Sequence, residues 1–380
     1  MAFKLLSQND FDEIFEGKDC FCGSGASYEV CHREKKYRNP KEIALDQNRF
    51  MHRSRRCPVV TEGRNCEKPV IASHSQQRRG PLKLLTENGH VLGFSGGPNA
   101  GPRGESTPEL TKISARKAST FPGLCAEHDA QLFRDIENQE LKPNYKTALG
   151  LARRNTLYEA VVHTDATLFL NWLQTVPTFD FQMNTAGFTA ELDNMRHYAA
   201  YNWYLATLIS KIETRKSARK LYFFIAKIDA CLPMSATGCF CIENDLDGVK
   251  LQKFSDTKRK FSYAQISVLP QGNGTTIFSI SSTNDRDMHT SRKFLESFAR
   301  CGAEELSNAI LRTALEYTEN IYFKESWVKT LSETQRNSLC QRFDDAAYFK
   351  VGLEKPDFSL ARPLDIQLEG KVVASLLKTN

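Results

Sequence analysis

The sequence has no long hydrophobic run of the kind that spans a membrane or begins an exported protein. Its most apolar segment, Leu221 to Ala226, is followed closely by Lys227 and Asp229 and is too short to cross a bilayer. The first 15 residues carry acidic side chains and lack the apolar centre of a signal peptide. We therefore expect a cytoplasmic protein that does not associate with membranes.

The sequence also lacks the short motifs of several large enzyme classes. It contains no G-x-x-x-x-G-K-[ST] loop, no G-x-G-x-x-G after a predicted strand, no G-x-S-x-G and no H-E-x-x-H. These absences argue against a P-loop nucleotidase, a dinucleotide-binding enzyme, an α/β-hydrolase and a zincin-type protease. Residues 146–380 offer no spacing of chemical groups from which a reaction can be derived.

The cysteines do not indicate a disulfide framework. The chain has 11 of them, an odd number, and six precede residue 126 in settings that suit metal ligands. This clustering is typical of metal binding in a reducing compartment. We therefore predict metal sites in the N-terminal third of the chain.

The first predicted metal site lies in the segment C-F-C-G-S-G-A-S-Y-E-V-C-H, residues 20–32. Thiolate sulfur and imidazole nitrogen are ligands that tetrahedral zinc prefers, and Gly23 and Gly25 allow the positive φ values needed to fold the segment back on itself. The alternative is a loop of free thiols without metal. The spacing resembles the SEC-C zinc motif, which implies a structural zinc and a small docking surface for a protein partner or nucleic acid. The predicted ligands are Cys20, Cys22, Cys31 and His32.

A second predicted zinc site combines two cysteines with a C-x2-H pair much further along the chain. Its ligands are Cys57, Cys66, Cys125 and His128, and the C-x2-H pair opens a predicted helix. The alternative is that Cys57 and Cys66 are ordinary core or surface thiols. The layout resembles HNH-type treble clefs, in which two ligand pairs hold structural zinc and a histidine between them is the general base in phosphodiester hydrolysis.

The same resemblance implies which residues carry out catalysis. By position His74 would be the general base, and Asn88, His90 or Asp129 would help to hold a catalytic magnesium or manganese ion. Alternatives stay open for both histidines. His74 is otherwise a core histidine or a zinc ligand, and His90, which follows a turn signal at Asn88 and Gly89, is otherwise a hairpin histidine.

Positive charge is concentrated next to these sites. Between residues 33 and 83, 14 Lys and Arg stand against five Asp and Glu, a net charge of +9 in a chain whose total is +6. Such a stretch beside zinc sites is typical of nucleic-acid binding, and a solvated Arg-rich surface is the alternative. The predicted nucleic-acid-binding residues are Arg53, Arg55, Arg56, Arg78 and Arg79.

Hydrophobic periodicity predicts an α+β protein: a small zinc-bound N-terminal module, a helical middle, an antiparallel sheet and C-terminal helices. The predicted domains are a SEC-C-like zinc knuckle at 1–40, a basic treble-clef-like module at 41–145 and an α+β body at 146–380.

Within the body, helices are predicted at 146–220, an antiparallel meander at 221–285 and further helices at 287–350. Residues 249–254 are interpreted as one strand of the meander, and residues 372–377 as a terminal strand. The pair Arg153 and Arg154 is interpreted as a solvated helix end.

Two functions are compatible with these patterns. The basic module with two zinc sites favours a nucleic-acid-binding protein, and cleavage by an HNH-like nuclease is left open. Chains with this opening resemble bacterial accessory proteins, which implies a setting in defence against phage. The alternative is a non-enzymatic zinc adaptor that docks a protein partner through its knuckle. Whether the protein forms an oligomer is left open.

Overall fold

A computed structural model gives the fold for most of the chain. It describes residues 16–19, 25–33, 56–61, 64–95, 108–137, 139–173, 199–207, 221–252, 261–283, 288–303, 305–347 and 360–378, and the single positions 13, 45, 196, 209 and 212.

The described residues contain one large sheet and two small ladders, all antiparallel. The strands are β1 (Val60–Thr61), β2 (Arg64–Asn65), β3 (Ala72–His74), β4 (His90–Ser95), β5 (Glu109–Ser114), β6 (Thr120–Pro122), β7 (Leu221–Ile228), β8 (Met234–Cys241), β9 (Tyr263–Pro270), β10 (Thr276–Thr283), β11 (Ile321–Phe323) and β12 (Val372–Lys378). Eight of them form a sheet in the order β12-β7-β10-β9-β8-β11-β4-β5. The small ladders pair β1 with β2 and β3 with β6.

Helices precede and follow the central strands. They are α1 (Pro81–Leu85), α2 (Ala126–Phe133), α3 (Tyr145–Leu173), α4 (Met288–Arg300), α5 (Leu306–Tyr317), α6 (Glu325–Thr330) and α7 (Glu333–Ala347). The predicted α+β class is confirmed, and so is the terminal strand, which forms β12 at one edge of the sheet. None of the helices in the described ranges combines the length and the apolar character that crossing a membrane requires.

Strand β7 shows why the central strands are apolar along their whole length. Its even-numbered residues, such as Tyr222 and Phe224, pack with the helices α4, α5 and α7. Its odd-numbered residues Leu221, Phe223 and Ile225 pack with α3 on the opposite face. Successive side chains of a strand alternate between faces, so a strand that is covered on both sides has a continuous apolar run.

The strand order differs from the predicted meander. Strands β8, β9 and β10 are consecutive neighbours, but β7 pairs with the free side of β10 and not with β8. This is a Greek-key connection. Short turns predict which strands form hairpins, but they do not determine which edge of the sheet the preceding strand joins.

One predicted strand of the meander is not formed in its described part. Residues Val249 to Gln252 lie in a loop, where a single bridge joins Asn244 to Lys250. The N–H groups of Val249 and Asp247 both bond to the side chain of Asp245, which stabilises a turn in place of an extended strand.

The hairpin β4–β5 extends the large sheet although it comes from the predicted basic module. Strand β4 pairs with β11, and β11 pairs in turn with β8. Residues on both sides of position 145 therefore belong to one continuous sheet.

The arginine pair of α3 is buried, so its interpretation as a solvated helix end is wrong. Arg154 is 3% exposed, because its guanidinium pairs with Glu137 at 2.6 Å and lies 4.3 Å from the centre of the Phe133 ring. The ion pair and the aromatic ring replace the water that an exposed arginine would bind.

Candidate metal centre

Four side chains from two distant segments meet in one cluster. The ligand atoms of Cys57, Cys66, Cys125 and His128 all lie within 4.8 Å of one another. The Sγ atoms of Cys57 and Cys125 lie 3.4 and 3.3 Å from His128 Nδ1, and the Sγ atoms of Cys66 and Cys125 are 3.9 Å apart. This group, which the sequence predicted, could hold a metal ion.

The chain between the first two ligands folds back as a short hairpin. Strands β1 and β2 pair antiparallel between Cys57 and Cys66. The N–H of Cys57 donates to the Lys68 carbonyl at 3.0 Å, and the N–H of Cys66 donates to the Val59 carbonyl at 2.9 Å. These backbone bonds bring the two thiols together despite the eight residues that separate them.

The other two ligands lie at the start of α2. Cys125 is the N-cap residue, and the N–H of Asp129 donates to its carbonyl at 2.9 Å. Burial alone would raise the pKa of Cys125, but hydrogen bonds from the His128 backbone and from the thiols of Cys57 and Cys66 lower it below its usual value. The positive end of the helix dipole also favours a thiolate, which is the form of cysteine that binds metal.

The segment that carries Cys57 and Cys66 and the segment that carries Cys125 and His128 are also joined by backbone hydrogen bonds. The N–H of Ile71 donates to the Leu124 carbonyl at 2.8 Å, next to the ladder of β3 and β6. Cys57 and Cys125 are almost fully buried, and an ion pair of Lys68 with Glu127 lies at the surface. The site is therefore closed on its inner side by the fold itself.

His74 lies at the end of β3 and has a defined tautomer. Its Nδ1 is 3.1 Å from the carbonyl oxygen of Ala118. A carbonyl only accepts, so Nδ1 carries the proton and Nε2 is left as a proton acceptor. Burial lowers the pKa of His74, and the charges of Arg78 and Arg154 reinforce this effect against the opposing influence of Ala118 and Asp129. The imidazole is therefore neutral at pH 7.

Asp129 connects the metal cluster with this histidine. It follows the ligand His128 in α2, and its Oδ1 accepts a hydrogen bond of 2.7 Å from the hydroxyl of Ser73, the residue before His74. Asp129, one of the three residues that were predicted to help hold a divalent ion, thus contacts the residue next to His74, and its charge acts to raise the pKa of His74.

Asn88 and His90 lie in the turn that opens β4. Asn88 has a φ of 50° and Gly89 a φ of 79°, and His90 Nδ1 lies 2.8 Å from the Asn88 carbonyl oxygen. Within the described part of the chain, neither residue has a hydrogen bond or ion pair with His74. The local contact of His90 is the one expected of a hairpin histidine.

The first predicted zinc site lies mostly outside the described residues. This holds for Cys20, Cys22 and the side chain of His32. The described neighbours do fold back, with a bridge from Asp19 to Ser27 and a φ of 74° at Gly25. Cys31 lies half-buried in the π-helical turn Glu29–Arg33. Zinc binding by this segment stays a prediction.

The predicted nucleic-acid-binding arginines differ in their surroundings. Arg53 and Arg55 lie outside the described residues, and Arg56 is exposed and paired with Glu67. Arg78 and Arg79 are exposed in the turn after β3, where no ion pair with another described residue involves them.

Sequence reasoning missed a buried polar network behind the histidine of β3. The Asn320 side-chain amide donates to the hydroxyls of Ser75 and Thr237 at 2.6 Å each, and the N–H of Ser119 donates to the Tyr322 hydroxyl at 2.7 Å. Ser75 follows His74, and Ser119 follows Ala118. Their contacts with the residues of β8 and β11 therefore fix the position of the histidine and of the carbonyl that it binds. No local pattern signals this network, because its members are brought together only by the tertiary fold.

No known protein family, no curated protein and no solved structure gives a significant match to this chain. Functional conclusions therefore depend on the residues and the geometry described above.

Proposed function

We propose that the protein is a cytoplasmic, zinc-dependent nucleic-acid-binding protein whose second zinc module acts as an HNH-like, metal-dependent nuclease. The observation that supports this most is that a Cys3His cluster, made from segments 59 positions apart, lies near a neutral histidine with an available Nε2. The hydrogen bond between Asp129 and Ser73 connects the two. A setting in phage defence rests on the sequence resemblance alone.

The donor set and its spacing favour zinc in the cluster. Tetrahedral zinc, with bonds of about 2.3 Å to sulfur and about 2.0 Å to nitrogen, separates a sulfur and a nitrogen ligand by about 3.5 Å and two sulfurs by about 3.8 Å. The corresponding distances here are 3.3 and 3.4 Å, and 3.9 Å. Four protein ligands leave no position for substrate, so this zinc would be structural. A second structural zinc is proposed at the SEC-C-like knuckle.

His74 is proposed to accept a proton from the water that attacks a phosphodiester. Its Nδ1 is occupied by the Ala118 carbonyl, so Nε2 is the atom that would take the proton. Magnesium or manganese, when bound, would stabilise the negative charge that develops on the phosphate. Asp129 offers a carboxylate for that ion, and its bond from Ser73 would orient it.

Exposed positive charge supports a nucleic acid as the substrate. Arg78 lies close enough to His74 to lower its pKa, and Arg79 is its exposed neighbour. Guanidinium groups bind phosphate oxygens through paired hydrogen bonds, and each contact releases counterions. Binding should therefore weaken steeply with salt.

Metal analysis and cleavage assays with a matched pair of histidine variants test the proposal. The parent should contain two zinc ions per chain and cleave nucleic acid when magnesium or manganese is added. His74→Ala should abolish cleavage but keep the zinc and the affinity, whereas His90→Ala should keep all three. Full cleavage by folded His74→Ala would overturn the assignment of the base. Loss of zinc from the His74→Ala variant would indicate that His74 is a zinc ligand.

A non-enzymatic adaptor is the second candidate, and one observation favours it. Val30, in the turn of the predicted knuckle, is 83% exposed, and a protein partner docked at the knuckle would cover it. A parent protein that binds no nucleic acid at any salt concentration would favour this function.

A further inference from the structure

Two turns meet at the end of the β3–β6 ladder, next to His74. The last pair of the ladder is His74 with Thr120, and the N–H of Ser75 donates to the Ser119 carbonyl at 2.9 Å just beyond it. After His74 the chain continues into the turn 76–80 and then into α1. Thr120, the partner of His74 in the ladder, is preceded by the turn 115–119, in which the Ala118 carbonyl accepts a hydrogen bond from His74 Nδ1.

Both turns carry exposed cationic side chains. Arg78 and Arg79 belong to the first turn, Lys83 to the helix that follows it, and Arg116 and Lys117 to the second turn. Within the part of the chain that the structure describes, no carboxylate forms an ion pair with any of the five.

Basic residues close by in the same module are arranged differently. Lys68 pairs with Glu127, and Lys112 pairs with Glu325 at 3.0 Å. These two lysines are neutralised within the protein, whereas no carboxylate of the described residues neutralises the cations of the two turns.

We infer that Arg116 and Lys117 form, together with Arg78 and Arg79, a two-sided clamp that holds the phosphate backbone of a nucleic acid across His74. The inference rests on the proposed function. It adds Arg116 and Lys117, which lie outside the basic stretch 33–83, and it also specifies the class of nucleic acid that is bound. Phosphates bound on both sides of the histidine would place an intervening phosphodiester beside Nε2.

The surface favours duplex over single-stranded nucleic acid. Proteins that bind single strands stack the bases on exposed aromatic rings. The large hydrophobic side chains that are exposed among the described residues are all aliphatic, for example Ile71 and Val373. Cations that have no exposed aromatic ring among the described residues suit a duplex, whose bases are already stacked on each other and whose phosphates face outward.

A pair of double variants with the same charge change tests the clamp. Arg116→Ala with Lys117→Ala removes the second turn's cations, and Arg292→Ala with Lys293→Ala removes an adjacent exposed pair on α4, which packs on β7 and β10. Duplex affinity of each is measured by fluorescence anisotropy between about 0.05 and 0.3 M salt. Two lost phosphate contacts should flatten the log–log salt dependence by about 1.8 and weaken binding about 10- to 60-fold near 0.1 M. Zinc content and urea unfolding confirm that both variants are folded.

The outcomes separate the clamp from the proposed function. Duplex binding that is weakened only by the first double variant supports the clamp. A parent that binds duplex while the two double variants bind alike would overturn the clamp and leave the proposed function standing. A parent that binds single strands more tightly than duplex would overturn the duplex assignment. A parent that binds no nucleic acid would remove both proposals.

Discussion

Glu159, on the side of α3 that faces β8, is an acidic residue in a largely dry environment. Its Oε1 accepts the N–H of Cys239 at 3.3 Å, and its Oε2 lies 3.6 Å from His163 Nδ1. Burial raises the pKa of Glu159 to about 8 in spite of the Cys239 bond, and the charge of Glu319 adds to the effect. Burial also lowers the pKa of His163, so the two side chains face each other as neutral groups at pH 7.

This perturbation makes folding stability depend on pH. The folded state keeps a proton that the unfolded chain releases near pH 4.5, so the free energy of unfolding falls as pH rises from 4.5 to about 8. A difference of one pKa unit corresponds to about 1.4 kcal/mol, which sets an upper bound of about 5 kcal/mol above pH 8. Water can relax around the 14% of the side chain that remains exposed. We therefore expect about 2 to 3 kcal/mol.

Glu159→Gln removes the titration and keeps an oxygen for the Cys239 N–H. Compared with the parent, its free energy of unfolding in urea should gain about 0.2 to 0.5 kcal/mol per pH unit between pH 6 and pH 8, which is the slope that a total of about 2 to 3 kcal/mol leaves in this range. Glu296→Gln on α4, a partly exposed partner of Arg292, is the matched control for the same substitution, and the slope of Glu159→Gln is compared with it. A Glu159→Gln effect that is the same at pH 6 and pH 8 would refute the reasoning.

Three further predictions follow from the metal centre and its surroundings. If the Cys3His cluster holds an ion, Cys125→Ser should lose one bound metal ion per chain and unfold more readily, because metal binding contributes directly to folding, whereas exposed Cys231→Ser should match the parent in elemental analysis and urea unfolding. If His74 is the base, the lowered pKa means that the cleavage rate should fall with acidification with a midpoint below pH 6.5, and a midpoint above pH 7 would contradict this. Asn320→Ala removes two buried hydrogen bonds and should lower the free energy of unfolding by about 2 kcal/mol, a value that urea titration can check.

Much of the fold was predictable because local composition dictates it. The apolar runs of β7, β9 and β10 and the helical periodicity of α3 and α5 correctly predicted an antiparallel sheet with helices before and after it in the chain. The position of β7 beside β10 was not predictable, since a local sequence pattern does not determine which sheet edge a strand joins. The burial of Arg154 was missed for a similar reason, because its partners Glu137 and Phe133 lie in a different element.

The metal cluster was predictable because its ligands are chemically distinctive. The C-x2-H pair before a helix indicated Cys125 and His128, and the two remaining cysteines of the basic stretch completed the set. The surroundings of His74 were harder to predict. Asn88 and His90 look equally suitable in the sequence, but they lie where β4 of the large sheet begins, whereas Asp129 contacts Ser73, the residue next to the histidine.

The position of the metal ligands has a mechanical consequence for the sheet. Cys66 and Cys125 are 59 positions apart, and the chain between them contains the edge hairpin β4–β5. A bound ion would tie both ends of this segment together as a crosslink does. Closing a loop of about 60 residues in the unfolded chain is worth about 4 kcal/mol on the entropy estimate used for disulfides. Removal of the ion by a chelator would therefore destabilise the outermost strands β4 and β5 first. The stability of the end of the sheet farthest from β12 would then depend on the supply of metal.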